Sequence, residues 1–117
     1  MNPLTHLVKN AGFYFLDGKT PVATDDVLVW AEHMENCSNS VAFSTIGAIE
    51  VSTVFLGIDA NSMFPGAQPV LFETMVFGGP LDLDRDRYST WEAAEEGHKH
   101  MVQKVRDAVE GTTREQR

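Results

Sequence analysis

The chain has 117 residues and a net charge of −8, with 17 acidic against nine basic side chains and a single cysteine. Its length bounds it to one domain with one hydrophobic core, near the size at which oligomerisation often adds stability. The acid excess argues against direct nucleic-acid binding, which needs clustered Lys and Arg, and the lone Cys37 excludes a disulfide framework or a cysteine metal site within one protomer.

The charge is unevenly placed. Residues 1–19 carry +1, residues 20–84 carry −9 and residues 85–117 balance to zero, with no Lys or Arg anywhere from Thr20 to Asp84. Such a field favours basic partners, or simply solubility. The sequence does not open on a positive segment followed by an apolar run and a small-residue cleavage site. No window approaches the roughly 18 consecutive apolar residues of a membrane span. A cytoplasmic protein with no membrane partner is the expectation.

In chain order, Gly12 to Phe15 alternates and is aromatic, Asp17-Gly18 supplies a turn, and Thr20 to Val22 returns, which predicts a small hairpin. Thr24-Asp25-Asp26 then offers an N-cap with carboxylates near the positive end of a helix dipole. Val27, Trp30, Ala31 and Met34 recur at helical steps, so a short helix is predicted over 25–35. Asn36 to Ser40 is a polar break. Val41 to Ile46 and Ile49 to Ile58, rich in β-branched residues and separated by a turn at Gly47, predict an antiparallel strand pair. A loop from Asn61 to Gln68 with Pro65 and Gly66 leads to a strand from Pro69 to Phe77, closed by Gly78-Gly79-Pro80. Ser89 with Glu92 fits a capping box, and Trp91, Ala94, His98, Met101, Val105 and Ala108 recur at steps of three and four. A helix is predicted from Thr90 to Val109, stopped by Gly111.

These elements predict an α+β fold: an antiparallel sheet of four to five strands with the C-terminal helix on one face and the short helix near residues 25–35. Residues 1–111 form the single domain and 112–117 a frayed polar tail. The strand at Pro69 to Phe77 is apolar on both sides, so the second face also needs cover, and a homo-oligomer is expected.

Three segments, VSTVFLGID (51–59), FETMVFGG (72–79) and RYSTWEAAEEGHKHMV (87–102), occur in an order that resembles a widespread family of short bacteriophage and prophage proteins. The resemblance covers roughly Val51 to Val102, more weakly Asp17 to Trp30. It implies a phage-encoded protein acting in the cytoplasm of a bacterial host. Many relatives carry a His after the Asp of the GID segment. Here that position is Ala60, so a function resting on that His is absent from this chain.

No nucleophile context or phosphate-cradling glycine loop is present, and no catalytic residue or cofactor is assigned. Glu95 with His98 and Glu96 with His100 have helical spacings that suit a metal, but ligands from elsewhere are missing and no metal is assigned. His98 lies on the apolar stripe and reads as a core histidine. Alternation places Glu73 with Leu71, Met75 and Phe77 on one face and Phe72, Thr74 and Val76 on the other, both apolar. Glu73 is therefore expected as a buried carboxylate paired with His98, structural in preference to catalytic. Arg85 and Arg87 sit just ahead of a helix N-terminus. With Tyr88, Ser89, Thr90 and Trp91 they form a candidate phosphate-binding site, against the alternative that both arginines pair with Asp82, Asp84 and Asp86 in an exposed loop.

Two functions of different class follow, both non-enzymatic. One is sequestration of a nucleotide-like signal of host defence, with phosphate at Arg85 and Arg87 and a base against Trp91 or Tyr88. The other is direct inhibition of a basic host defence protein by the acidic sheet and first helix, as a nucleic-acid mimic of anti-CRISPR type. A small enzyme centred on Glu73 and His98 is a third and weaker reading.

Overall fold

The computed structural model describes residues 12–61 and 66–115, with side chains to residue 111. Pro65 and the last two residues of the expected tail lie outside the described residues. The elements are β1 (Tyr14–Asp17), β2 (Thr20–Ala23), α1 (Val27–Asn36), β3 (Ser40–Ile46), β4 (Ile49–Phe55), β5 (Phe72–Phe77), β6 (Arg85–Tyr88) and α2 (Trp91–Glu115). The fold is α+β. β1 and β2 form a two-stranded hairpin, and β3-β4-β5-β6, in that spatial order, form one antiparallel sheet.

Period-two alternation divides the sheet into two unlike faces. Ile49, Val51, Thr53 and Phe55 of β4, with Phe72, Thr74 and Val76 of β5, are buried. They face α2, whose stripe of Ala94, His98, Met101 and Val105 is buried against them. Complete burial of one such aliphatic or aromatic side chain contributes about 1.5–3 kcal/mol, and the heptad-like spacing on α2 gathers several of them on one line.

The core has two parts. Ile49, Val51, Val76, Met101 and Val105 fill the first. Phe55, Leu71, Phe72 and Ala94 fill the second, where Tyr14 and Leu16 of the hairpin, Met34 of α1 and Trp91 complete the packing. The GID segment joins these units. Gly57, with φ of +77°, takes the chain out of the extended region, which ends β4 at Phe55 where the sequence predicts a strand to Ile58. Its carbonyl accepts from the Tyr14 amide and from the Trp30 indole N–H, both at 2.9 Å, and a Cβ there would collide with Met34. Asp59 then organises the crossover: its Oδ1 accepts from Asn61 N and Val70 N at 2.8 Å each.

Several predicted boundaries shift. Asp26, not Thr24, caps α1, accepting from the Leu28 and Val29 amides, while Thr24 Oγ1 accepts from Asp26 N. Thr90, not Ser89, caps α2 through the Ala93 amide at 3.1 Å, so no capping box forms with Glu92. β5 begins at Phe72 where a start at Pro69 is predicted. Residues 85–88, read as loop, form β6, because β5 offers them a partner in register. α2 continues through Gly111 to Glu115, with Gly111 outside the left-handed region that a stop would require.

Gly97 of α2 lies against Tyr88 of β6, and a Cβ there would overlap the Tyr88 ring and hydroxyl. Gly97→Ala must displace Tyr88 or the helix, at an expected cost of about 1–3 kcal/mol for overpacking. Urea denaturation checks this: the midpoint falls while the slope stays constant.

Candidate functional site

Two regions carry polar chemistry, one beneath α2 and one on the opposite side of the sheet. The buried one runs across all four strands. His98, 6% exposed, receives a hydroxyl at each ring nitrogen: Thr53 Oγ1 lies 2.7 Å from Nδ1 and Ser44 Oγ 2.8 Å from Nε2. Thr53 Oγ1 in turn lies 2.5 Å from Thr74 Oγ1, and Thr74 hydrogen-bonds the Tyr88 phenol. The chain Ser44–His98–Thr53–Thr74–Tyr88 thus takes one side chain from each strand and one from α2. Burial holds the His98 imidazole below its ordinary value of 6.5. Burial also pushes the Tyr88 phenol up, with Asp86 adding to the shift and the Thr74 hydrogen bond opposing it.

A neutral imidazole has one donor and one acceptor nitrogen, and a hydroxyl can serve as either, so this chain is satisfied in both tautomers. His98 is therefore a core histidine, as its place on the stripe predicts. Its expected partner is corrected: Glu73 belongs to the other face of the sheet and binds Arg87, with Nε–Oε2 at 2.9 Å. Alternation along β5 is the cause, since Thr74 and not Glu73 points toward α2. The two groups of the proposed enzyme centre are thus separated by the sheet. The helical pairs suggested for a metal are also engaged elsewhere, His98 by the two hydroxyls and Glu96 by Lys99 at 3.2 Å.

The outer face is built from three cross-strand rows. Ser40, Val54, Glu73 and Arg87 form one; Phe43, Ser52, Met75 and Arg85 the next; Thr45, Glu50 and Phe77 the third. Phe43 is 57% exposed and Phe77 43% exposed. The packing contacts of the described helices and hairpin lie on the inner face or at its end. Among the described residues this face therefore presents two exposed rings, the half-buried Met75 and two guanidinium groups on one surface.

The expected six-residue ligand site is split by this geometry. Arg85 and Arg87 project from the outer face. Tyr88, opposite Phe72, points inward, and Trp91 packs edge-on to Phe72 with ring centroids 6.2 Å apart. Lys19 Nζ lies 5.8 Å from the centre of the Trp91 ring, and Trp91 Nε1 is buried without a hydrogen-bond partner among the described residues. Thr90 is occupied as the N-cap. Tyr88 and Trp91 are thus partly buried side chains packed against the core, on the side of the sheet away from Arg85 and Arg87. Phe43 and Phe77 were missed because each occurs in an apolar strand where sequence alone does not say which face α2 covers.

Part of the acid-rich segment lies at α1, where Asp25 and the N-cap Asp26 just ahead of the helix and Glu32 and Glu35 on it are exposed along with Leu28. Asp84 is held below the usual carboxylate range by its 2.7 Å hydrogen bond to Lys104 of α2, with the Lys104 charge and the Arg85 amide adding to the shift. No described helix is long and apolar enough to cross a membrane. Comparison with protein-family models, curated proteins and solved structures finds no match to the chain.

The buried histidine has a pH signature. Its folded value is depressed, so below 6.5 the unfolded chain binds a proton that the native state resists. The stability it contributes is complete above 6.5 and is lost as the pH falls below that value. Denaturation midpoints measured across this range are expected to fall toward acid in the native sequence and to lose that component in His98→Gln. Thr53→Val, which leaves the His98 Nδ1 without its hydroxyl partner, is expected to cost about 1–3 kcal/mol at neutral pH in the same assay.

Proposed function

We propose that the chain is a phage-encoded, non-enzymatic accessory protein that works by stoichiometric binding in the cytoplasm of its bacterial host. Its ligand is a nucleotide-like signal of host defence, sequestered on the open face of the sheet. The observation that carries this reading is the placement of Arg85, Arg87, Phe43 and Phe77 on one face of the sheet, against which no described helix or hairpin packs. A guanidinium group matches phosphate oxygens bidentately, and an exposed ring on a sheet stacks a base whatever its sequence identity. Arg85 is exposed and makes no ion pair among the described residues, while Arg87 is oriented by Glu73. The phage setting rests on the three-segment resemblance of residues 51–102.

The aromatic role here falls to Phe43 and Phe77 in place of Tyr88 and Trp91, and Ser89 and Thr90 have no part in it. A second reading is inhibition of a basic host protein. The exposed carboxylates and Leu28 of α1 favour it, since they join negative charge to an apolar contact in the manner of a protein interface.

Calorimetric titration of the purified protein with mononucleotides and cyclic dinucleotides separates the two. Saturable binding of a phosphate-bearing ligand is expected, weakened roughly 10- to 100-fold by Arg85→Ala, the range of a charge-assisted hydrogen bond of about 1.5–3 kcal/mol. Phe77→Ala should weaken it comparably through lost stacking. Absence of nucleotide binding, together with a host protein captured at low salt and released at high salt, would contradict sequestration and favour inhibition.

A further inference from the structure

The four-stranded sheet has two edges of opposite character. β6, at one edge, is a four-residue strand of sequence RDRY, with its three charged residues exposed. Short length and charge are the usual means by which an edge is kept from pairing with another strand. β3, at the other edge, has seven residues, SVAFSTI, with no charged side chain, no proline and several β-branched positions. Its single irregularity, between Ser40 and Ala42, lies at one end and leaves Ala42 to Ile46 in regular register with β4. No described strand pairs with its free side.

We infer that β3 is the dimer seam of the protein, pairing antiparallel with β3 of a second copy about a two-fold axis normal to the sheet. The occupant follows from the two edges. A β3-to-β6 contact would be heterologous and would propagate into a filament, but β6 is blocked by Arg85, Asp86 and Arg87. Of the two edges of this sheet, β3 is the one that no described strand covers and no charge blocks, and pairing it with itself closes at two copies. Charge supports the same partner. Each protomer carries −8, so self-association needs a contact free of like charges, and β3 supplies one. The nearest carboxylate across the register is Glu50, set back on β4 opposite Thr45.

A two-fold axis normal to the sheet keeps both α2 helices on one side and both outer faces on the other. The product is a continuous eight-stranded sheet. Phe43, exposed on the outer face of each β3, comes beside the seam, where cross-strand aromatic pairs add to strand association. The dimer joins the two open faces into one surface and stands apart from the identity of any ligand bound there.

Sedimentation velocity on the purified full chain tests this at micromolar concentration. The native sequence is expected to sediment as a dimer. Thr45→Lys and Ser40→Lys, both at exposed outer-face positions of β3, each put a charge on the edge strand, the device that keeps β6 unpaired, and are expected to give monomers with an unchanged circular dichroism spectrum. A native monomer overturns the inference. So does a dimer that persists in both lysine variants, because it would then use another surface. Arg85→Ala, which affects ligand binding, is expected to leave the dimer intact, so failure of either reading is seen separately.

Discussion

The imidazole of His98 is the point on which the two layers of this protein are joined. α2 covers the sheet with a mainly apolar stripe, and apolar contact alone is non-directional. His98 adds direction. With Thr53 on one ring nitrogen and Ser44 on the other, the helix is fixed in rotation and in translation along the sheet, because moving it by one residue would take the buried imidazole away from both hydroxyl partners. The hydroxyl pair of Thr53 and Thr74 carries the same constraint to β5, and Tyr88 carries it to β6. Gly97, the neighbour of His98, provides the space in which Tyr88 reaches the helix. The Gly-His dipeptide of α2 thus has a structural explanation at both positions.

A similar division of labour explains the GID segment. Gly57 gives the carbonyl that receives the hairpin and α1, and Asp59 holds the start of the crossover to β5. These are local hydrogen-bond duties, in which Ala60 takes part through its backbone amide, bonded to the Val70 carbonyl. Both motif segments are thereby largely accounted for by folding. The polar and aromatic groups they leave over are on the outer face, on elements that α2 makes rigid from behind.

Much of the fold was legible in the sequence. The stripe of α2 was clear because four of its positions are buried at steps of three and four, and β3, β4 and β5 were marked by their β-branched and aromatic content. β6 was not, since RDRY carries no local signal for a strand and pairs only because β5 is already in place. The same limitation governed the site. Alternation correctly divided β5 into two sets, but both contained apolar residues, and only the packing of α2 decides that Thr74 turns inward and Glu73 outward. Glu73 then meets Arg87, directly opposite it, and the histidine is served by hydroxyls, which leave little mark in composition. The two arginines were recognised, but their helix-end setting was wrong because strand alternation directs them to the other side of the sheet.

The central claim is that His98 is a neutral, doubly hydrogen-bonded brace and not a reactive group, and nuclear magnetic resonance of the imidazole nitrogens during a pH titration tests it most directly. The account predicts a ring that remains neutral to a pH below the ordinary histidine value of 6.5, with both nitrogens in hydrogen bonds and slow exchange of the ring proton with water. A histidine that titrates at the ordinary value with solvent-exchanging nitrogens would contradict it, and would return His98 to the list of groups available for chemistry.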